Sequence, residues 1–291
     1  MNALELSHIR YRYSVGTPFE KEALKDVSVS FRGGAITGLI GHTGSGKSTL
    51  VQMFNGLLRP ESGTVCLFGE DIWAKPAEIR KVRFRVGLVM QYPEYQLFDE
   101  TVRADIAFGP KNMALDADEI AVRVRAAAKA VGLTEDLLDK SPFDLSGGQK
   151  RRAAIAGVLA MRPEVLVLDE PAAGLDPRGR REILGGLRKY QEENNATVIL
   201  VSHSMEDMAV YCDDVVVMSD GQVLTCGSTA QVFSDPDLLT SVGLDVPQVA
   251  KIARTLQKMG IPLQGELYTV SGVRDAVLRL LAEKKGGERP C

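Results

Sequence analysis

The chain of 291 residues predicts an α/β fold, a largely parallel sheet covered by helices on both faces, on three observations. Continuous apolar runs at 35–40, 165–168 and 196–202 lack the alternation of a half-exposed strand, as expected when helices cover both faces of a parallel sheet. One run ends in a glycine-rich turn that opens a helix. Another ends in two adjacent acids.

Taken in order, Ile9 to Tyr13 and Val27 to Phe31 read as short strands, separated by the turn-rich Ser14-Val15-Gly16-Thr17-Pro18. Ala35 to Ile40 is a buried strand. A helix starts at Lys47, with Leu50, Val51, Phe54, Leu57 and Leu58 at helical spacing, and ends near Arg59-Pro60. The basic run Arg80 to Arg85 reads as an exposed face before a strand over Arg85 to Met90. Asp116 to Leu138 is Ala- and charge-rich, without strand period, and reads as helix. Another helix runs from Gln149 to Met161. Strands follow at Val165 to Leu168 and Ala196 to Ser202, and Asp220-Gly221 turns a hairpin between Val215–Met218 and Gln222–Cys226. After about Ser228, Val249, Ile252, Ala253 and Leu256 share one helix face, and Val273, Val277, Leu280 and Leu281 share a second. Two readings stand for this tail: packing on its own domain, or contact with another subunit.

Composition narrows the function classes. With 45% hydrophobic and 25% charged residues, the chain reads as an ordinary soluble globular protein able to bury its own core. At roughly 150 residues per domain, its length suggests two domains or one large α/β domain with additions. The 35 Lys+Arg and 38 Asp+Glu leave a net charge of −3, which excludes a basic nucleic-acid coat as the main theme and an acidic disordered tail. The four cysteines, Cys66, Cys212, Cys226 and Cys291, form no CxxC pair and read as reduced thiols of a cytoplasmic protein. The opening residues lack a signal-peptide run, and no stretch of about 18 apolar residues predicts a membrane span.

Gly41-His42-Thr43-Gly44-Ser45-Gly46-Lys47-Ser48-Thr49 matches G-x-x-x-x-G-K-[ST] between a predicted strand and a predicted helix, the context this motif needs. Glycines let successive N–H groups converge on phosphate oxygens, and the helix dipole adds roughly half a positive charge at the same point. Lys47 is expected to reach the β/γ-phosphates and Ser48 to hold Mg²⁺. His42 reads as a surface side chain in a variable loop position. Val165-Leu166-Val167-Leu168-Asp169-Glu170 brings two carboxylates to a strand end, Asp169 placed for Mg²⁺ and Glu170 for polarising an attacking water. The chain thus reads as a nucleotide-hydrolysing P-loop protein.

Leu145-Ser146-Gly147-Gly148-Gln149 opens a second helix, again with N–H groups at its start. Lys150, Arg151 and Arg152 follow in the first turns, where the dipole disfavours cations. They either answer a nearby anion or extend into solvent.

The phosphate loop, Gln91, LSGGQ, Asp169-Glu170, Gly174-Leu175-Asp176 and His203, in this order and approximate spacing, resemble the ATP-binding-cassette (ABC) ATPases. The resemblance covers about residues 3–235 and implies a RecA-like P-loop NTPase core. It also implies an N-terminal antiparallel β-subdomain, a helical signature subdomain over about 92–160, and a C-terminal helical extension over 236–291 as a candidate dimer contact. In that family two cassettes stack head to tail around two ATP molecules. Ser146, Gly147, Gly148 and Gln149 would then contact the γ-phosphate of a partner's ATP, and Asp176 would cross the seam. Gln91 would approach Mg²⁺ and water, and His203 would bond the γ-phosphate and hold the geometry around Glu170. The family stacks an aromatic residue on adenine, here Tyr13 with Tyr11 as the other choice on the same strand face. The choice of ATP over GTP rests on the resemblance.

Gly16-Thr17-Pro18-Phe19-Glu20, the 91–98 segment, Ala107-Phe108-Gly109-Pro110 and Pro171 to Pro177 look like the ATPase subunit of energy-coupling-factor (ECF) importers of vitamins and metal ions. The GTPFE insert favours the second of their two paralogous ATPases. This implies a second ATPase chain, self or paralogue, a transmembrane coupling subunit, a substrate-binding membrane subunit, and a peripheral place on the cytoplasmic face of the membrane. Glu94, Asp99 and Glu100 among Tyr92, Tyr95, Leu97 and Phe98 would suit a partner helix carrying arginine. The alternative is a non-transport cassette acting on DNA or ribosomes, which the single cassette and slightly negative charge disfavour.

Overall fold

The computed structural model describes residues 1–287, so Cys291 lies outside the described residues. The chain opens with β1 (Asn2–Tyr13) and β2 (Lys21–Arg32), paired antiparallel from Asn2 opposite Arg32 to Tyr13 opposite Lys21. β3 (Ile36–Gly41) and α1 (Lys47–Phe54) follow. β4 (Ser62–Leu67) joins β1, and β5 (Glu70–Asp71) joins β4, giving a four-stranded antiparallel sheet. α2 (Ile79–Arg85) leads into β6 (Val86–Val89), and a helical layer comes next: α3 (Val102–Asn112), α4 (Ala117–Ala130), α5 (Glu135–Leu138) and α6 (Gly147–Leu159). β7 (Val165–Asp169), α7 (Pro177–Asn194), β8 (Thr197–Val201) and α8 (Met205–Tyr211) return to the second sheet. The hairpin of β9 (Asp214–Ser219) and β10 (Gln222–Ser228) closes it. α9 (Thr229–Phe233), α10 (Pro236–Ser241), α11 (Gln248–Lys258) and α12 (Val270–Gly287) end the described chain.

The second sheet has the order β10-β9-β3-β8-β7-β6 and is parallel except at β10. Its apolar strands face two cores by alternation. Leu39, Val165, Val167, Ile199 and Val201 join Leu50, Met53 and Phe54 of α1 and the inner face of the antiparallel sheet. Ile40, Leu166, Leu168, Val198 and Leu200 join α3, α4, α6, α7 and α8 on the other side. Both faces are covered, and that is why these strands read as unbroken apolar runs. Ala253, Leu263, Val273 and Ala276 form a small third core in the C-terminal helices.

The parallel strands matter most for the site, because their C-terminal ends lie along one edge. The phosphate loop leaves β3, His203 follows β8, Asp169 ends β7, and Gln91 follows β6. Sheets of this kind bind ligands at that edge.

Several element boundaries differ from the sequence expectation. β1 and β2 begin at Asn2 and Lys21, well before Ile9 and Val27, because their ladder continues through register shifts that break the alternation, and α6 spans Gly147–Leu159 instead of Gln149 to Met161. The helix from Lys47 ends at Phe54, because Gly56 at φ 69° turns the chain; Leu57 and Leu58 bond back to the Gln52 carbonyl instead. The 116–138 stretch is two helices, parted near Gly132 at φ 73°. The basic run forms α2, and its strand begins at Val86.

Candidate nucleotide site

Glycines shape the loop between β3 and α1. Gly44 holds φ 86° with open space where a Cβ would stand, whereas a Cβ on Gly46, at φ 98°, would lie 2.8 Å from the Ala23 carbonyl. Only glycine fits the second position, and the first leaves a cradle. Gly46 caps α1 without any side-chain acceptor, so the first helical N–H groups carry no cap. Lys47 is buried, and its Nζ donates to the Gly41 and His42 carbonyls at 2.7 and 3.0 Å, with Ser45 Oγ at 3.5 Å. Burial pushes the Lys47 ammonium down, opposed by Asp169 and Glu170.

Across the cavity stand the two carboxylates. Burial pushes Asp169 up, against the pull of Lys47, His203 and a hydrogen bond from Ser48. Glu170 is also pushed up by burial, against His203. Glu170 holds a left-handed φ of 53°, a conformation that costs a non-glycine residue free energy and recurs at functional sites. Its Oε1 accepts the His203 backbone N–H at 2.8 Å, and Ser202 Oγ donates to Oε2 at 3.5 Å. The His203 ring, with Nε2 at 3.7 Å from Glu170 Oε1, is exposed to the cavity.

Tyr13, Thr43, Gly44, Gly46, Lys47, Ser48, Thr49, Gln91, Asp169, Glu170 and His203 line one cavity of about 310 Å³ together with Lys21 and Ala23. Tyr13 donates or accepts a hydrogen bond with Thr49 Oγ1 at 3.2 Å and faces the cavity, while Tyr11 packs edge-on against it at 5.0 Å and joins the core. The two share a strand face, but only Tyr13 reaches the cavity. His42 turns its ring away towards Ser219 and Asp220 and faces the site through its carbonyl. Ser45 is buried beneath the loop. Ser146, Gly147, Gly148, Gln149 and Asp176 do not line this cavity.

A family model described as "ABC transporter" matches residues 24–173. The Energy-coupling factor transporter ATP-binding protein EcfA2 of Clostridium acetobutylicum is 50% identical over 283 residues, covering 97% of this chain and 99% of the relative. Its namesake in Caldanaerobacter subterraneus subsp. tengcongensis is 47% identical, covering 97% and 99%. The chain belongs to the ATP-binding subunits of energy-coupling-factor ABC transporters. Solved structures agree: cbiO1 from Clostridium perfringens, part of the ABC transporter complex cbiONQ, is 41% identical with a TM-score of 0.74, over 88% of this chain and 99% of that one. The dimeric ABC transporter cassette MJ0796 is 27% identical with a TM-score of 0.71, over 78% of this chain and 98% of that one. The chain is therefore an ABC ATPase, and this cavity is where its phosphate loop, lysine and two carboxylates meet.

The signature turn of this ATPase lies at the head of α6. Ser146 Oγ accepts from Gln149 N at 3.4 Å, and Gln149 Oε1 accepts from Ser146 N at 2.9 Å, a closed capping box on an exposed surface. Asp176 caps α7, its Oδ1 accepting from Gly179 N at 2.6 Å. The cations after the signature find acids within the chain: Arg151 forks onto Glu94, and Arg152 pairs with Glu182, while Lys150 lies over the Phe143 ring. Glu94 is thus not free for a partner's arginine, as the sequence suggested; burial works to raise its carboxyl, yet the Arg151 hydrogen bonds hold it below its usual range. The acid in the neighbouring groove is instead Asp105, whose oxygens accept from the Phe98 and Asp99 N–H groups, and the groove walls include Phe84, Leu97, Phe98 and Phe108. Sequence reasoning missed Asp105 because its run shows no strand period and carries Gly109-Pro110 near its end. It missed Lys21 too, although pairing opposite Tyr13 places it beside the cavity.

Proposed function

We propose that this ATPase works as the motor of an ECF importer, pairing with a second cassette so that each ATP is held by the phosphate loop of one and the signature turn of the other. One observation carries the reading: α1 and α6 both open beside glycines, and of these two helix starts only that of α1 shares a cavity with the lysine and carboxylates. A signature turn that cannot serve its own site fits a neighbour's. The dimeric form of the related MJ0796 cassette supports this arrangement. Exposed Ile252, Leu278 and Leu281 on the C-terminal helices, with Met259 just past α11, support a further contact between cassettes.

In this reading Lys47 leaves the Gly41 and His42 carbonyls for the phosphate oxygens, and the uncapped N–H groups of the loop and α1 take the remaining charge. Tyr13 stacks on adenine. Ser48, Asp169 and Gln91 present a hydroxyl, a carboxylate and an amide to one cavity, oxygen donors suited to a hard cation, and they would hold Mg²⁺. The ion supplies charge neutralisation for the transferred phosphoryl group. Glu170, raised by burial and aimed by the His203 and Ser202 hydrogen bonds, accepts a proton from the attacking water. His203 bonds the γ-phosphate and so links its presence to the geometry of Glu170. Asp176 crosses the seam.

Uptake of a vitamin or metal ion follows from docking a membrane partner on the groove walled by Phe84, Leu97, Phe98 and Phe108, whose aromatic rings supply contact area. Among the described residues no helix is long and apolar enough to cross a membrane, so attachment rests on such partners at the cytoplasmic face. Purifying the native complex and identifying its chains tests this. A second ATP-binding chain with membrane subunits is expected; recovery with ribosomes or DNA alone would contradict it.

A further inference from the structure

The cavity that gathers Lys47, Asp169 and Glu170 contains a second lysine, and no acid of the described chain claims it. Lys21 lines the cavity beside Tyr13, Ala23 and the phosphate loop, and the residue is exposed. Its acidic neighbours in sequence are engaged elsewhere. Glu20 accepts from Arg12 at 2.7 Å and from the Gly16 N–H at 2.8 Å, and Glu22 faces Arg10 at 3.8 Å. Alternation explains the direction Lys21 takes. It stands two residues before Ala23 on β2, so the two share a face, and both line the cavity.

The surroundings say which part of a nucleotide Lys21 would meet. The Ala23 carbonyl lies 2.8 Å from where a Cβ on Gly46 would stand, so β2 rests against the last glycine of the loop, at the start of α1. Two residues back, about 7 Å along the strand, Lys21 pairs with Tyr13. Tyr13 Oη meets Thr49 Oγ1 at 3.2 Å, which anchors that ring to the first turn of α1. Lys47 and the His203 ring act on Asp169 and Glu170 instead, at the other end of the cavity. A loop of this kind cradles the α- and β-phosphates while its lysine takes the β- and γ-phosphates. Resting on the ATP site proposed above, we propose that Lys21 is a further ATP-binding residue, its ammonium neutralising the α-phosphate from the β2 side. Adenine carries no charge and Lys47 serves the far phosphates, so the α-phosphate is the anion within reach of an unpaired ammonium beside Tyr13. This contact is common to ATP and ADP, so Lys21 holds the nucleotide before and after hydrolysis alike.

The test is equilibrium titration of the full chain with ATP and with ADP, each with Mg²⁺ and at several salt concentrations, in the parent, Lys21→Gln and Lys21→Arg. Lys21→Gln is expected to weaken both nucleotides by the same factor, roughly 3- to 10-fold, between the worth of an exposed ion pair and that of a charge-assisted hydrogen bond. The loss shrinks as salt rises, since an exposed charge is screened. Lys21→Arg keeps the charge and restores most of the affinity. Thermal melts without nucleotide establish that both variants are folded, as expected for an exposed position. Parental affinities in Lys21→Gln overturn the proposal. So does a loss confined to ATP, which would put the ammonium on the γ-phosphate, and so does a loss that salt leaves unchanged, which would put it on the base. Lys47→Ala, titrated alongside, tests the site itself: ATP binding equal to the parent's there overturns the ATP-site reading, whatever Lys21 does.

Discussion

α1 is capped by a glycine and α6 begins with two, yet the resting states of the two helix starts are opposite. α1 begins at Gly46 with no acceptor, beside a buried lysine. α6 begins inside a closed box in which Ser146 and Gln149 satisfy one another. An uncapped helix start that is held ready binds an anion at once. A self-capped start must exchange its own acceptor for an incoming one, so its gain on binding is smaller. On the proposed two-cassette arrangement, the pairing step would thereby be weaker and easier to reverse than nucleotide capture, a property suited to a cycle that opens and closes.

Variants in each region can break this contrast. Glu170→Gln keeps the acceptor for the His203 N–H but removes the base, and hydrolysis is expected to fall roughly 10²- to 10⁴-fold with ATP binding retained. Normal single-turnover rates would reject the assignment. Lys47→Ala should weaken ATP binding itself by about 10- to 100-fold, the worth of a charge-assisted hydrogen bond, as read by titration of a fluorescent ATP analogue. Ser146→Asp preserves the box but sets a carboxylate against the neighbour's γ-phosphate. It should keep its Tm and ATP affinity and lose ATP-driven pairing by about tenfold in sedimentation experiments, whereas Ser146→Ala loses about 1 kcal/mol of stability as well. Tyr13→Leu should raise KM for ATP about fivefold, with Tyr11→Leu changing stability instead.

The smallest effect concerns pH. Burial raises Glu170 above the usual carboxylate range, so the folded protein holds this proton more tightly than the unfolded chain. The stability it contributes is full below the unfolded pKa and is lost as pH rises through the raised folded one. Glu170→Gln removes that loss. Its Tm without nucleotide should exceed the parent's at neutral pH, the gain disappearing in acid.

The central strands and the phosphate loop were legible because burial on both faces and a fixed glycine pattern each leave a local trace. Asp169, Glu170 and His203 could be placed because each follows such a strand. Other parts carry no local trace. α3 and α7 escaped detection, the first because Gly109-Pro110 breaks its pattern and the second because arginine and glutamate dominate its exposed face. β4 and β5 are short elements whose identity comes from pairing, β4 with β1 and β5 at the sheet edge with β4. The Glu94–Arg151 pair spans 57 positions, and nothing local marks Glu94 as turned inwards. For the same reason sequence could propose an anion for Arg151 but not say which one.

The most direct measurement is the structure of the Glu170→Gln protein, in its complex, with ATP and Mg²⁺. The account predicts Ser146 Oγ within hydrogen-bond reach of the γ-phosphate on the neighbouring cassette's Lys47 loop, with the Ser146–Gln149 box opened. An ATP enclosed by a single cassette, its γ-phosphate distant from every signature turn and the box still closed, would contradict it.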